Sequence, residues 1–287
     1  MQPFFLGCAV WSYKEWVGEL FPAGSKSKDF LHLYSRRLTT VEGNTTFYAI
    51  PSSDTIKRWS TETPETFRFC LKIPREISHN GPLVNHIDAT RMFIERVAPL
   101  DQRLGPFFLQ LPPGYTATQI DDLAQWLQAW PTTYRLSVEV RHHEWYSSPN
   151  EPTLMNLLDQ HNVGRVLMDV RPLRAGPLPG AEEDLEKARD RKPDVSLHPL
   201  YSSDIALIRY IGHPNLTLNE PFLDEWAKRL RAWMQSGIQI YYFIHCPDER
   251  QSPTLCRMLQ QRLEQLIDVA PLPWNSLEST FEQPRLL

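Results

Sequence analysis

Glycine is scarce in this chain, with 12 residues among 287, while proline is plentiful at 25. Ordinary domains carry about 7% glycine and about 5% proline, so stiff, defined loops are expected here rather than flexible linkers. Cysteine is scarcer still. The four cysteines form no CxxC pair, and Cys8 and Cys70 sit inside apolar runs. That excludes a disulfide framework and a zinc ribbon, and all four read as reduced core residues. No run approaches the roughly 18 apolar residues of a membrane span, and the start MQPFFLGCAVWSY lacks the basic opening of a signal peptide. The expected location is the cytoplasm, with no membrane partner. A basic excess is also missing: 30 Lys and Arg stand against 34 Asp and Glu, a net charge of −4. Nucleic acid is therefore not the expected partner. Finally, the chain has no GxGxxG, Walker A, GxSxG, HExxH or HxH pattern, so dinucleotide, P-loop, serine-hydrolase and short-range zinc chemistry have no support.

What the chain has is repetition of β-rich and helical stretches. Near-continuous apolar runs occupy Phe5–Val10, Thr39–Thr45, Phe67–Ile73, Phe107–Gln110, Arg135–Val140, Gly164–Asp169, Ile205–Tyr210 and Gln239–His245. Continuous apolar runs suit parallel strands buried on both faces. Between them, Lys28–Arg37, Asp54–Thr61, Thr90–Leu100, Thr118–Trp130, Thr153–His161, Pro221–Ser236 and Pro253–Asp268 read as helices. Ser52 and Ser53 supply an N-cap, and Thr118 with Asp121 resembles a capping box. Eight strand–helix units predict an α/β fold: one (β/α)8 TIM-barrel-like domain over residues 1–287. The sixth unit is irregular. Residues 171–200 carry a poor helix, Ala181–Lys192, whose only large apolar residue is Leu185, and read as a long loop or lid between strands 6 and 7.

Polar residues close these apolar strands at their C-terminal ends, the end where barrel enzymes do chemistry. Strand 2 ends with Glu42 and Asn44, strand 3 with Lys72 and then His79, strand 4 with Gln110, and strand 5 with Glu139 and Arg141. Strand 6 ends with Asp169 and Arg171, strand 7 with Arg209, and strand 8 with His245. Charges crowded into a barrel mouth must pair or hold a ligand, and crowding shifts pKa values as proton transfer requires. Glu42, Glu139, Lys72 and Asp169 are the candidate catalytic residues. Asn44, His79, Gln110, Arg141 and Arg209 are candidates for substrate binding, with Trp11 and Trp145 as stacking rings. The chemistry that fits is isomerisation, epimerisation or hydrolysis of a small anion such as a sugar or sugar phosphate.

Two other readings stay open. No cofactor is predicted, but Glu42, Glu139, Asp169 and His245 are residue types that bind a divalent metal, which suits a metal-dependent phosphoesterase or isomerase. His142 and His143 point to opposite faces if the chain is extended, which argues against one ion between them. A non-catalytic ligand or nucleic-acid binder would use the basic residues Arg165, Arg171, Arg174, Lys187, Arg189, Arg191 and Lys192. The number of subunits is left open.

Several ordered motifs together resemble the YecE-like family, domain of unknown function 72. They are GCAVWSYKEWVGELFP (7–22), VEGNTTFYAIP (41–51), FRFCLKIPREISH (67–79), LQLPP (109–113), VEVRHHEW (138–145), MDVRP (168–172) and LIRYIG (207–212). The resemblance covers almost the whole chain. It implies a TIM-barrel-like fold and no established activity. It places the family's shared polar residues on Glu42, Asn44, Lys72, His79, Gln110, Glu139, Arg141, Asp169 and Arg209. At the end of strand 8 this chain reads FIHCPD (243–248), where many members carry an asparagine-rich stretch, so His245 rests on the strand-end reading alone.

Overall fold

The structure is a computed structural model, and it describes residues 3–176, 197–247 and 249–278. Eight strands run in sequence around a barrel: β1 (Phe4–Cys8), β2 (Thr40–Gly43), β3 (Arg68–Leu71), β4 (Phe107–Gln110), β5 (Leu136–Glu139), β6 (Gly164–Asp169), β7 (Ile205–Ile211) and β8 (Gln239–His245). Every ladder is parallel, and β1 pairs with both β2 and β8. The seam between β3 and β4 is narrow. It is held by the bridges Phe69–Leu104 and Lys72–Phe108 and by the Ile73 N–H on the Phe108 carbonyl at 3.0 Å. Helices fill the fully described connections, as expected of a (β/α)8 barrel.

Alternation along the strands sorts side chains into two layers. One face of each strand packs outward against the helices. The other face fills the barrel with Phe5, Cys70, Phe108, Val166, Leu207, Tyr241 and Phe243, all buried. Gly7 shows how tightly β1 and β2 approach. A Cβ there would lie 1.9 Å from the Thr40 carbonyl oxygen. The Tyr34 hydroxyl secures that approach, accepting from the Cys8 N–H at 2.7 Å and donating to the Thr40 carbonyl at 3.0 Å.

Local boundaries follow local chemistry. Helix Ser53–Glu62 starts where Ser52 Oγ accepts the Thr55 N–H at 3.2 Å. The capping box lies two residues earlier than the sequence suggested: Thr116 and Gln119 form it, ahead of helix Ile120–Ala129. Glutamine at the third position reaches back to the Thr116 N–H at 2.9 Å, a distance Asp121 cannot serve from its own turn. The stretch expected as strand to Thr45 turns at Gly43 into a short helix, Thr45–Tyr48. The four cysteines are buried and form no disulfide. Of the stretch between β6 and β7, residues 177–196 lie outside the described residues, and with them the expected lid helix Ala181–Lys192.

Candidate active site

The inward row of side chains continues one step beyond the apolar filling, and there it becomes ionic. Glu42, Gln110, Glu139, Arg209 and His245 come from β2, β4, β5, β7 and β8, and Lys72 directly follows β3. They meet above Phe108, whose ring lies 5.7 Å from the Arg209 guanidinium and 5.8 Å from the Lys72 amine.

Arg209 is the centre of this layer. Its Nε and Nη2 donate to the two oxygens of Glu42 at 2.9 and 2.8 Å, and its Nη1 donates to Glu139 Oε2 at 2.5 Å. All three residues are buried. Burial alone would raise both carboxyls, but Arg209 outweighs it and holds each below the usual carboxylate range. For Glu42 the shift is large, because His245, with Nε2 at 2.9 Å, adds its charge and a hydrogen bond to those of Arg209. The Asn44 amide also donates to Glu42, at 2.7 Å. Arg141 Nη1 lies 3.5 Å from Glu139 Oε1. Both glutamates are therefore fixed anions and cannot serve as proton donors near neutrality.

Lys72 is different. It is buried with its amine donating to Gln110 Oε1 at 2.9 Å and capped by the Phe47 ring at 4.0 Å. Burial, joined by the charge of Arg209, brings its pKa down to about 8. His79 lies on the same side, against Phe47 (ring centroids 5.1 Å apart) and Ser78 Oγ (2.8 Å). Burial and the charges of Lys72 and Arg75 lower it to about 4. Two hollows open here. One, of about 500 Å³, is lined by Phe47–Ile50, Pro74–Glu76, His79 and Asn80. The other, of about 160 Å³, reaches Glu42 and Asn44 past Ala9–Ser12. Trp11 lines the second hollow, set edge-on against Trp59 and Phe69.

Two of the expected residues are not in the mouth. Asp169 follows Met168 and so faces outward, where it accepts from Trp226 Nε1 at 2.8 Å and from the Arg171 side chain at 3.0 and 2.9 Å. It ties β6 to the helix Glu220–Gln235 and takes no part in the mouth. Trp145 is fully buried, with its indole N–H on the Tyr115 carbonyl at 2.8 Å, and offers no stacking face. The metal set does not assemble either. Arg209 fills the space between Glu42 and Glu139 that a cation would need, and Asp169 points away. The basic set is also divided. Arg165 is buried against Glu151 at 2.6 Å, Arg171 is paired with Asp169 and Glu225, and Lys187–Lys192 lie outside the described residues. Phe108, the floor under the lysine, went unassigned in the sequence, although it was readable as the in-facing residue two before Gln110. Phe47, which caps the lysine, belongs to the aromatic-rich loop after strand 2, where rings above the mouth are expected.

Comparison with known proteins agrees with this architecture. The family described as "Protein of unknown function DUF72" matches residues 5–277. The UPF0759 protein YecE of Escherichia coli (strain K12) is 34% identical over 264 residues, 92% of this chain and 93% of YecE. YunF of Bacillus subtilis (strain 168) is 20% identical over 251 residues, 83% of this chain and 86% of YunF. Among solved structures, a DUF72 family protein from Enterococcus faecalis V583 superposes with a TM-score of 0.65 at 16% identity, over 93% of this chain and 98% of that one. One from Thermotoga maritima MSB8 gives 0.64 at 20% identity, over 91% and 99%. Among the described residues no helix is long and apolar enough to cross a membrane.

Proposed function

Because the chain belongs to the DUF72 family, its activity has to be read from the barrel mouth itself, and we propose that it is an enzyme moving a proton on a small anionic substrate such as a sugar phosphate. The observation that carries this reading is the Lys72 amine, held inside the mouth at a pKa of about 8. At pH 7 about a tenth of such amines are unprotonated, enough for a general base whose conjugate acid then returns the proton. Lys72, Arg141 and Arg209 outnumber Glu42 and Glu139, and Arg75 adds to the rim, so the mouth favours an anion.

In this reading the neutral Lys72 Nζ takes a proton from a carbon beside a carbonyl. The C–H electron pair becomes the C=C bond of an enediolate as the carbonyl π pair moves onto its oxygen. The Lys72 ammonium then returns the proton to the neighbouring carbon while the hydroxyl proton passes from one enediolate oxygen to the other, which gives the isomer. Glu42 and Glu139 position Arg209 and do not exchange protons, which leaves hydrolysis by a carboxylate pair without an acid. Gln110 orients the amine. Phe47 touches Lys72 and lines the larger hollow, so substrate enters as that ring swings away. The reading also places the protein in the cytoplasm, in keeping with four buried thiols and no disulfide.

The test is exchange into deuterated water. Aldose and ketose phosphates are incubated with the protein, and carbon-bound hydrogen is followed by NMR. Exchange with at least one of them, abolished in Lys72→Gln, is expected. Absence of exchange across the panel, or equal exchange by Lys72→Gln, contradicts the reading.

A further inference from the structure

Beside the ionic layer lies a cluster that the proton-transfer chemistry does not use. After β5 the chain passes Arg141 and turns into a short 3-10 helix, His143–Tyr146. An extended chain would part the two histidines. The turn instead packs their rings together, centroids 4.3 Å apart and planes tilted by 34°. Glu144 completes the group, with Oε2 3.7 Å from His142 Nδ1. One ligand atom from each of the three residues lies within 4.8 Å of the others, and among the described residues no other three histidine, cysteine or acidic side chains do this.

We propose that His142, His143 and Glu144 hold a divalent transition-metal ion of the zinc class at the rim of the barrel. Ligand atoms about 2.1 Å from one ion at a near-tetrahedral angle stand about 3.4 Å apart, so the 3.7 Å between His142 and Glu144 closes by a few tenths of an ångström, while the exposed His143, within 4.8 Å of both, closes the rest by turning its side chain. The carboxylate is already oriented by the Ala117 N–H, which donates to Oε2 at 3.2 Å. A backbone contact of this kind behind a ligand is what fixes a metal-binding side chain. His142 Nδ1 accepts the Glu144 N–H at a long 3.3 Å, a bond the ion replaces. His143 is exposed while His142 and Glu144 are half-buried, so the ion arrives from solvent and keeps water on its remaining positions. Two imidazoles with one carboxylate select zinc or its neighbours over magnesium, which prefers oxygen alone. The site is independent of the chemistry at Lys72.

The test uses the full chain without an affinity tag, treated with chelator and titrated calorimetrically with zinc chloride. One zinc ion per chain is expected, with at least a tenfold weaker affinity in His143→Ala and in Glu144→Gln. Cobalt(II) should give visible absorption with the parent protein and lose it in both variants. His143 is a surface side chain, so His143→Ala keeps its fold, which circular dichroism checks. Absence of zinc binding, unchanged affinity in both variants, or equal binding of magnesium overturns the proposal.

Discussion

The Arg209 guanidinium lies in register with the Glu42 carboxylate, Nε on Oε2 at 2.9 Å and Nη2 on Oε1 at 2.8 Å, joining β7 to β2 through the barrel interior. A paired fork of this kind is strong and directional. It also commits both groups. With Nη1 on Glu139, one buried cation holds two buried carboxylates, and the chemistry of the mouth passes to Lys72.

Removing Arg209 strands two buried anions. Arg209→Met is expected to cost about 3–5 kcal/mol of stability, the usual penalty for breaking a buried pair from one side. Urea unfolding at pH 7 measures it. A loss below about 1 kcal/mol would mean that water already solvates Glu42 and Glu139.

Lys72 should leave a signature in the pH dependence of stability. Its folded pKa is lowered, so the unfolded chain binds the proton more tightly. The charged amine is a burden on the fold below about pH 8, and that burden is lifted as pH rises from about 8 to 10.5. Lys72→Met is therefore expected to be more stable than the parent at pH 7, with the gap shrinking through that window. A gap independent of pH would contradict the burial of a charged amine.

His79 titrates at about 4, held down by burial and then by Lys72. The unfolded chain takes up its proton first, so this histidine removes stability as pH falls from about 6.5 toward 4. In Lys72→Met the His79 ring resonance should titrate at a higher pH, as NMR of the imidazole protons shows. An unmoved midpoint would mean that the lysine charge is not felt at the groove.

Asp169 separates scaffold from site. Asp169→Asn weakens its bonds to Arg171 and Trp226 and should cost about 1.5–3 kcal/mol, the range for hydrogen bonds to a charged group. Phosphate binding at the mouth, followed by titration calorimetry, should be unchanged. Lost anion binding with full stability would return Asp169 to the site.

Much of this was readable from residue patterns. Eight apolar runs fall on eight strands because parallel strands are buried on both faces. That same burial hides which face is which. Glu42, Lys72, Gln110, Glu139, Arg209 and His245 share the inward face, while Asp169, one residue past in-facing Met168, falls on the other. A one-residue step reverses a side chain's direction, and the apolar run Val166–Met168 before Asp169 carries no alternation to reveal it. Loop rings were harder still. Trp11 reaches a hollow and Trp145 is fully buried with its indole N–H on the Tyr115 carbonyl, a difference set by the path of the chain through space. His142 and His143 come together because the chain turns there into the 3-10 helix His143–Tyr146.

The most direct test is the titration of Lys72 itself, followed by NMR of protein labelled at the lysine ε-carbons and assigned with Lys72→Gln. The account predicts a midpoint of about 8 that rises when inorganic phosphate or a sugar phosphate is added, because a bound anion favours the charged amine. A midpoint near the ordinary 10.5, unmoved by either anion, would contradict it.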